Sequence, residues 1–142
     1  MTDSSDKMLA KAQWKIRDIE KPKFACRVCD GANLMEFPDS SVDTVVDTFG
    51  LCSYDDPVLV LKEMKRICKP DGKILLLEHG RSKTWPFITH YLDKNAERHA
   101  KNWGCVWNRD LDQILQDSGL QIAILHTWHF GTTYYMVCKP SL

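Results

Sequence analysis

The chain has 142 residues, of which 44% are hydrophobic and 27% are charged, a composition typical of a globular domain that buries a core. Nineteen basic and nineteen acidic residues leave no formal net charge, which disfavours nucleic acid and acidic membrane surfaces as partners. No apolar run approaches the roughly 18 residues of a membrane span, so we expect one soluble domain over residues 1–142.

The first predicted element is a helix that starts within a few residues of the N-terminus. Ser4 or Ser5 can cap it, and the acidic residue Asp3 stands just ahead of the cap. Apolar residues then recur at three- and four-residue steps, which predicts one apolar helix face. That face comprises Met8, Leu9, Ala12, Ile16 and Ile19.

Two strands, a helix and a third strand are predicted next. Residues 23–30 alternate as a strand, and residues 41–51, rich in β-branched residues, form a second strand that Gly50 ends. Asp56 caps the following helix, and the sequence KPDGK then breaks that helix and turns the chain. KILLLEHG is an apolar run typical of a strand buried on both faces of a parallel sheet. The apolar helix face comprises Val60, Leu61, Met64, Ile67 and Cys68.

The remaining residues predict two helices and a hairpin. Residues 86–101 are predicted to be helical, and Asn108 is predicted to cap a further helix that ends at Gly119. Residues 120–128 and 132–139 are predicted to pair as a hairpin. In the first of these helices Phe87, Ile88, Tyr91 and Leu92 lie on one side, and in the second Leu111, Ile114 and Leu115 are predicted to face inward. This alternation predicts an α/β fold, with a parallel sheet covered on both faces and one antiparallel strand at its edge.

The six cysteines are scattered along the chain. Cys52, Cys68 and Cys138 stand among apolar residues, so we interpret them as reduced thiols that pack as small hydrophobic groups. Cys26 and Cys29 form a C-x-x-C pair, but a zinc site would need a second pair or a matched histidine pair at similar spacing. The sequence contains neither, and we therefore predict no metal site.

Three segments carry a resemblance to a known family: MTDSSDKMLAKA, CDGANLMEFPDSSVDTVV and VLKEMKRICKPDGKILLLEHG. They resemble consecutive motifs of the class I S-adenosylmethionine-dependent methyltransferases, in the branch similar to ubiquinone and menaquinone biosynthesis enzymes and mitochondrial methyltransferase-like proteins. The resemblance is specific over residues 3–80 and looser over residues 103–140. It implies a Rossmann-like sheet that ends in an antiparallel hairpin, with S-adenosylmethionine as cofactor. It is also compatible with a mitochondrial location.

The resemblance implies roles at the adenosine end of the cofactor for residues that follow two predicted strands. Asp3 matches the acid that holds the ribose hydroxyls. Asp30 matches the acid that accepts a hydrogen bond from the adenine amino group, and Gly31-Ala32 would let the backbone approach the ring. The alternative for Asp30 is an Asp-Gly turn without a ligand.

At the methionine end, Thr48-Phe49-Gly50 resembles the segment that lines the cofactor in this family. The alternative is a plain strand end with Phe49 in the core. His79 follows the third strand and is the candidate catalytic residue, or else a satisfied turn residue. Several aromatic side chains predict either an apolar acceptor pocket or part of the core. They are Trp103, Trp107, Trp128, Tyr134 and Tyr135.

Two functions follow from these features. The first is methyl transfer to a small molecule, such as a quinone-like phenol, a thiol or a lipid. In the family, a first strand and a Gly-rich turn precede the position of Asp3, and we expect both to be missing here. The second function is therefore a non-catalytic remnant that binds a protein through an exposed sheet edge. We also expect self-association at that edge, because the strand over 41–51 keeps one side unpaired.

Overall fold

The structure, a computed structural model, describes residues 1–19 and 25–140. Four helices and six strands follow one another in that part of the chain. They are β1 (Thr2–Asp3), α1 (Asp6–Ile16), β2 (Arg27–Val28), β3 (Val42–Thr48), α2 (Pro57–Ile67), β4 (Cys68–His79), α3 (Pro86–Trp103), α4 (Leu111–Ser118), β5 (Gln121–Trp128) and β6 (Thr133–Lys139). None of these described helices is long and apolar enough to cross a bilayer.

The strands form a mixed sheet in the order β3-β4-β6-β5 and a separate two-stranded sheet of β1 and β2. β3 and β4 are parallel, whereas β6 is antiparallel to both of its neighbours, β4 and β5. The α/β fold and the terminal hairpin are therefore confirmed. The position expected for the antiparallel strand is wrong, because β6 lies inside the sheet and β5 occupies the edge.

β4 is longer than predicted because the expected turn is built into the strand. Val42 pairs with Cys68 and Thr44 pairs with Lys73, so the register shifts between these two pairs. The extra residues of the KPDG segment form a bulge where a turn was expected. A Cβ on Gly72 would lie 2.7 Å from the Asp43 carbonyl oxygen, so the bulge requires glycine at this position.

The core lies on one face of the sheet. Ile74, Leu76 and Glu78 alternate along β4 and are fully buried, as the two-residue period of a strand requires. α2 and α4 pack against each other, and their buried leucines join the same cluster. The expectation that the sheet is covered on both faces fails at the edge strand β5, every residue of which is exposed.

The N-terminal segment contains the helix expected there, in a shorter form. Ser5 caps α1 and accepts a hydrogen bond from the Met8 amide, but the helix ends at Ile16 and buries only Leu9. The strand expected over 23–30 is reduced to β2, which pairs in parallel with β1, while residues 23 and 24 lie outside the described residues.

The later helices differ from prediction in their caps and in their burial. Asp110 caps α4 in place of Asn108, whose side chain instead donates to the Asp93 carboxylate at 2.8 Å. Gly119 ends α4 in the left-handed conformation, as predicted. In α3 only Leu92 is buried, whereas Phe87 and Tyr91, which were predicted to lie on the same side of the helix, are exposed.

Candidate functional site

A cavity of about 630 Å³ lies at the carboxyl end of β3 and is closed on its other side by β1 and α1. We refer to it as the first cavity. Six of the seven residues predicted to contact a cofactor line it: Asp3, Asp30, Gly31, Thr48, Phe49 and Gly50. The seventh, Ala32, packs against the hydrophobic core instead. The volume falls within the range of about 300–1,000 Å³ typical of small-molecule sites.

The parallel pairing of β1 with β2 brings Asp3 and Asp30 to the same wall. The Cys29 amide donates to the Asp3 carbonyl oxygen at 3.0 Å, which fixes the strand end that carries Asp30. One carboxylate oxygen of Asp3 accepts from the Ser5 amide at 2.8 Å, and Oδ1 of Asp30 accepts from the Ala32 amide at 2.9 Å. Each carboxylate is therefore held by its own turn through one oxygen.

Two glycines allow the cavity wall to pack closely. A Cβ on Gly31 would lie 3.3 Å from Cγ1 of Val60 and 3.4 Å from the Tyr54 ring. A Cβ on Gly50 would lie 2.7 Å from the Tyr54 hydroxyl and would also overlap the Asp47 carboxylate. Gly50 therefore has no room for a side chain, and Gly31 has little.

Asp47 and Glu78 form a buried acid pair behind Gly50. The Gly50 amide donates to Oε1 of Glu78 at 3.1 Å, and the Tyr54 hydroxyl donates to Oδ1 of Asp47 at 3.3 Å. Burial and the neighbouring Asp47 raise the pKa of Glu78 to about 8, and burial raises the pKa of Asp47 as well. The second carboxylate oxygen of each residue has no hydrogen-bond partner among the described residues.

The first cavity therefore has an acidic lining. Asp3, Asp30 and Asp47 contribute to its wall, and none of its described lining residues is Lys, Arg or His. Such a site favours a ligand that carries positive charge and disfavours phosphates. Sequence analysis overlooked Asp47. The signal that could have identified it is an acidic residue within the β-branched strand over 41–51, because acids are rarely buried.

Phe49 lines the first cavity and contacts a residue that lines a second one. Its backbone has a φ of 54°, in the left-handed region, and its amide donates to the Leu77 carbonyl oxygen at 2.8 Å. The side chain is 40% exposed, so it is not a core residue. Its ring stacks on His79 with 4.4 Å between centroids, and His79 belongs to the second cavity.

The second cavity measures about 430 Å³ and is mostly apolar. His99 stacks on Trp107 with 3.8 Å between ring centroids, and the indole of Trp107 donates to the Leu92 carbonyl oxygen at 3.0 Å. Burial and the nearby His99 lower the pKa of His79, so its imidazole is held neutral. The principal lining residues of the second cavity are His79, Leu92, His99, Trp103, Cys105 and Trp107.

The five aromatic residues predicted to form an acceptor pocket or part of the core divide into three groups. Trp103 and Trp107 line the second cavity. Tyr134 is 3% exposed and belongs to the core, where its hydroxyl donates to the Arg81 carbonyl oxygen. Trp128 and Tyr135 contact each other across the β5–β6 hairpin, away from both cavities.

All six cysteines are free thiols, and two of them lie beside His79. The sulfurs of Cys52 and Cys105 and a ring nitrogen of His79 all lie within 4.8 Å of one another. Burial and the contact with Cys52 raise the pKa of Cys105 to about 12. Sequence analysis missed this cluster, because 27 and 26 residues separate its members and no local spacing signals it.

Comparisons with known proteins agree with one another. Residues 1–76 match the family described as "Methyltransferase domain". The mitochondrial methyltransferase OMS1 of Saccharomyces cerevisiae is 39% identical over 96% of this chain, which spans 32% of that protein. The human thiol S-methyltransferase TMT1B is 28% identical over 80% of the chain, which covers 46% of it.

A solved structure shows the same fold. The S-adenosylmethionine-dependent methyltransferase of Methanosarcina mazei has a TM-score of 0.70 at 18% identity, over 99% of this chain and 81% of that one. At this identity the likeness concerns the fold alone. The chain spans less than half the length of the yeast and human relatives.

Proposed function

Because the chain belongs to the methyltransferase domain family, we propose that it transfers a methyl group from S-adenosylmethionine to a small apolar acceptor. The observation that carries this proposal is the junction of two unlike cavities at the stacked rings of Phe49 and His79. The first cavity is acidic and suits a cationic cofactor. The second is aromatic and suits an apolar molecule.

The charges of the first cavity fit S-adenosylmethionine. Its sulfonium and ammonium groups outnumber its one carboxylate, so the molecule carries net positive charge, which the lining acids attract. In this assignment Asp3 accepts from the ribose hydroxyls, and Asp30 accepts from the adenine amino group through the oxygen that its turn leaves free. Gly31 gives the adenine ring access to the backbone.

The remaining residues of the first cavity are assigned to the methionine end. Thr48 and Gly50 stand on either side of Phe49 at the end of β3. Behind them Asp47, which also lines the cavity, contributes negative charge in a buried setting, where charge is weakly screened, while Glu78 keeps its proton at neutral pH. This negative charge favours a positive group near Phe49, on the side of the first cavity that faces His79.

S-adenosylmethionine brings an activated methyl group, so the task left to the chain is to hold and shield the reactants. Correct placement of two reactants is worth on the order of 7–11 kcal/mol of the barrier. The stack of Phe49 on His79 marks where the acceptor can approach. Trp107, held by its hydrogen bond to Leu92, shields the approach from water.

The acceptor class follows from the second cavity, which has apolar and aromatic walls and few polar groups. A thiol or a phenol with an apolar body fits such a site better than a charged metabolite does. The thiol methyltransferase named among the relatives supports the first of these classes. His79, with a neutral ring in the cavity wall, is the residue that we assign to contact with the acceptor.

The test is a transfer assay with isotope-labelled S-adenosylmethionine against matched thiols, phenols and lipid amines. We expect label in the thiol or phenol products, and we expect Trp103→Ala to raise the KM for the acceptor without weakening cofactor binding. Trp128→Ala is the control, because Trp128 is also an exposed indole but lies outside both cavities. Equal effects of the two substitutions, or label in lipid amines alone, would contradict the acceptor assignment.

A second candidate function rests on the edge of the sheet. β3 pairs with β4 on one side only among the described strands, and Val46 on this strand is 65% exposed. An open strand of this kind can accept a strand from another protein. A non-catalytic module of this type would give no heat of binding with S-adenosylmethionine, so calorimetric titration separates the two functions.

A further inference from the structure

Cys52, His79 and Cys105 meet from three separate segments of the chain. Cys52 lies in the turn after β3, His79 ends β4, and Cys105 follows α3. The Val106 amide donates to the Cys52 carbonyl oxygen at 2.8 Å, which ties two of these segments together. Cys52 is 2% exposed and Cys105 is 8% exposed, so both thiols are shielded from bulk water.

The spacing of the three side chains fits a tetrahedral metal ion. Zinc binds sulfur at about 2.3 Å and imidazole nitrogen at about 2.0–2.1 Å, which places two tetrahedral ligand atoms about 3.6–3.8 Å apart. The sulfur of Cys105 lies 3.8 Å from Nδ1 of His79. The sulfur of Cys52 lies within 4.8 Å of both ligand atoms. A shift of the Cys52 side chain by about 1 Å would complete this side of the tetrahedron.

The chemistry of the cluster also suits such an ion. Two thiolates and one neutral imidazole carry two negative charges, which a divalent cation cancels, so the buried site would be neutral overall. Soft sulfur ligands select Zn²⁺ over Mg²⁺ or Ca²⁺. The imidazole is already oriented, because its ring stacks on Phe49 with 4.4 Å between centroids.

We propose that Cys52, His79 and Cys105 bind one thiophilic divalent cation of the Zn²⁺ type, with a fourth coordination position that opens to the second cavity. Cys105 and His79 both line that cavity, so water or a ligand from the cavity has access to the ion. Binding releases the two thiol protons to solvent, and no redox change is involved. Three protein ligands with one open position are typical of zinc sites that contact small molecules.

The experiment uses reduced, metal-stripped protein that is titrated with Zn²⁺ against a chromophoric chelator. We expect one tightly bound ion per chain. The Cys105→Ser and His79→Gln substitutions should each weaken the affinity by about 100-fold or more, which is beyond the 10–100-fold effect typical of outer-shell groups. When Co²⁺ replaces Zn²⁺, we expect the intense visible bands of a tetrahedral site and a sulfur-to-metal charge-transfer band. The Cys105→Ser variant should weaken the charge-transfer band.

Matched controls are available within the chain. Cys138→Ser removes another buried thiol, and His126→Gln removes another imidazole, and neither residue belongs to the cluster. Neither substitution should change Zn²⁺ affinity. Circular dichroism establishes whether each variant is folded. The test uses Cys105→Ser and His79→Gln, and it does not require a folded Cys52→Ser variant.

Equal affinity in the reduced parent chain and in folded Cys105→Ser and His79→Gln would overturn the metal site. The same conclusion follows if Cys138→Ser weakens binding as much as Cys105→Ser does. The metal site does not depend on the proposed methyl transfer, because the titration contains neither S-adenosylmethionine nor an acceptor. Failure of the transfer assay would therefore leave it intact.

Discussion

Replacing Asp30 with asparagine separates its proposed role in cofactor binding from its role in a turn. Oδ1 of Asp30 accepts from the Ala32 amide at 2.9 Å, and an asparagine oxygen can accept the same bond. The second carboxylate oxygen is replaced by the amide NH2 of asparagine, which only donates hydrogen bonds and therefore cannot accept one from the adenine amino group. A hydrogen bond to a charged group contributes about 1.5–3 kcal/mol, and solvent exposure of Asp30 favours the lower end. About 1.4 kcal/mol corresponds to a tenfold loss of affinity.

The assay is calorimetric titration with S-adenosylmethionine, combined with thermal unfolding of each variant. We expect Asp30→Asn to weaken binding about tenfold at unchanged Tm, and Asp30→Ala to weaken binding similarly while lowering the Tm through loss of the turn. Asp71→Asn removes the same charge at the β4 bulge, outside the first cavity, and should leave affinity unchanged. Parent-like affinity in Asp30→Asn, with a lower Tm in Asp30→Ala, would mean that Asp30 is only a turn residue.

Three further predictions concern stability and assembly. Gly50→Ala should lower the free energy of unfolding by about 1–3 kcal/mol in denaturant titrations, and by more than Gly31→Ala, because only the Cβ at Gly50 overlaps the Asp47 carboxylate; equal losses would contradict this. Because the pKa of Glu78 is raised to about 8, the folded state retains its proton, so the stability of metal-free protein should fall between about pH 4.5 and pH 8. Asp47→Asn should flatten that slope, because Asp47 helps to raise the pKa of Glu78, and an unchanged slope would contradict this coupling. Light scattering at tens of micromolar should report a dimer or larger species that Thr44→Lys, on the open edge of β3, reduces; a stable parent monomer would rule out edge pairing.

Local signals in the sequence predicted the elements that depend on local chemistry. Ser5 and Asp56 cap α1 and α2, and Gly119 ends α4, because each acts within one turn of its own position. The choice between Asn108 and Asp110 could not be predicted in this way. Both are good caps, but Asn108 is engaged by Asp93, a residue fifteen positions away.

Tertiary packing decided the remaining features. The apolar spacing of Phe87 and Tyr91 shows that they share a helix face, but it does not show whether another element packs on that face. The resemblance to the methyltransferase family predicted most residues that line the first cavity, because the motifs of that family follow the ends of strands. Cys52 and Cys105 come together only once β4 and the segment after α3 are in place, and no spacing rule covers such a pair.

The backbone of Phe49 connects the two proposals. A non-glycine residue with a φ of 54° costs on the order of 1–3 kcal/mol and persists only where its surroundings hold it in place. Here the amide is fixed by Leu77, while the ring is fixed by its stack on His79. Glycine would relieve the backbone but would leave no ring to stack on His79. An aromatic side chain at this strained position is therefore explained by its contact with His79: it fixes the imidazole proposed as a metal ligand at the place where the sites proposed for cofactor and acceptor meet.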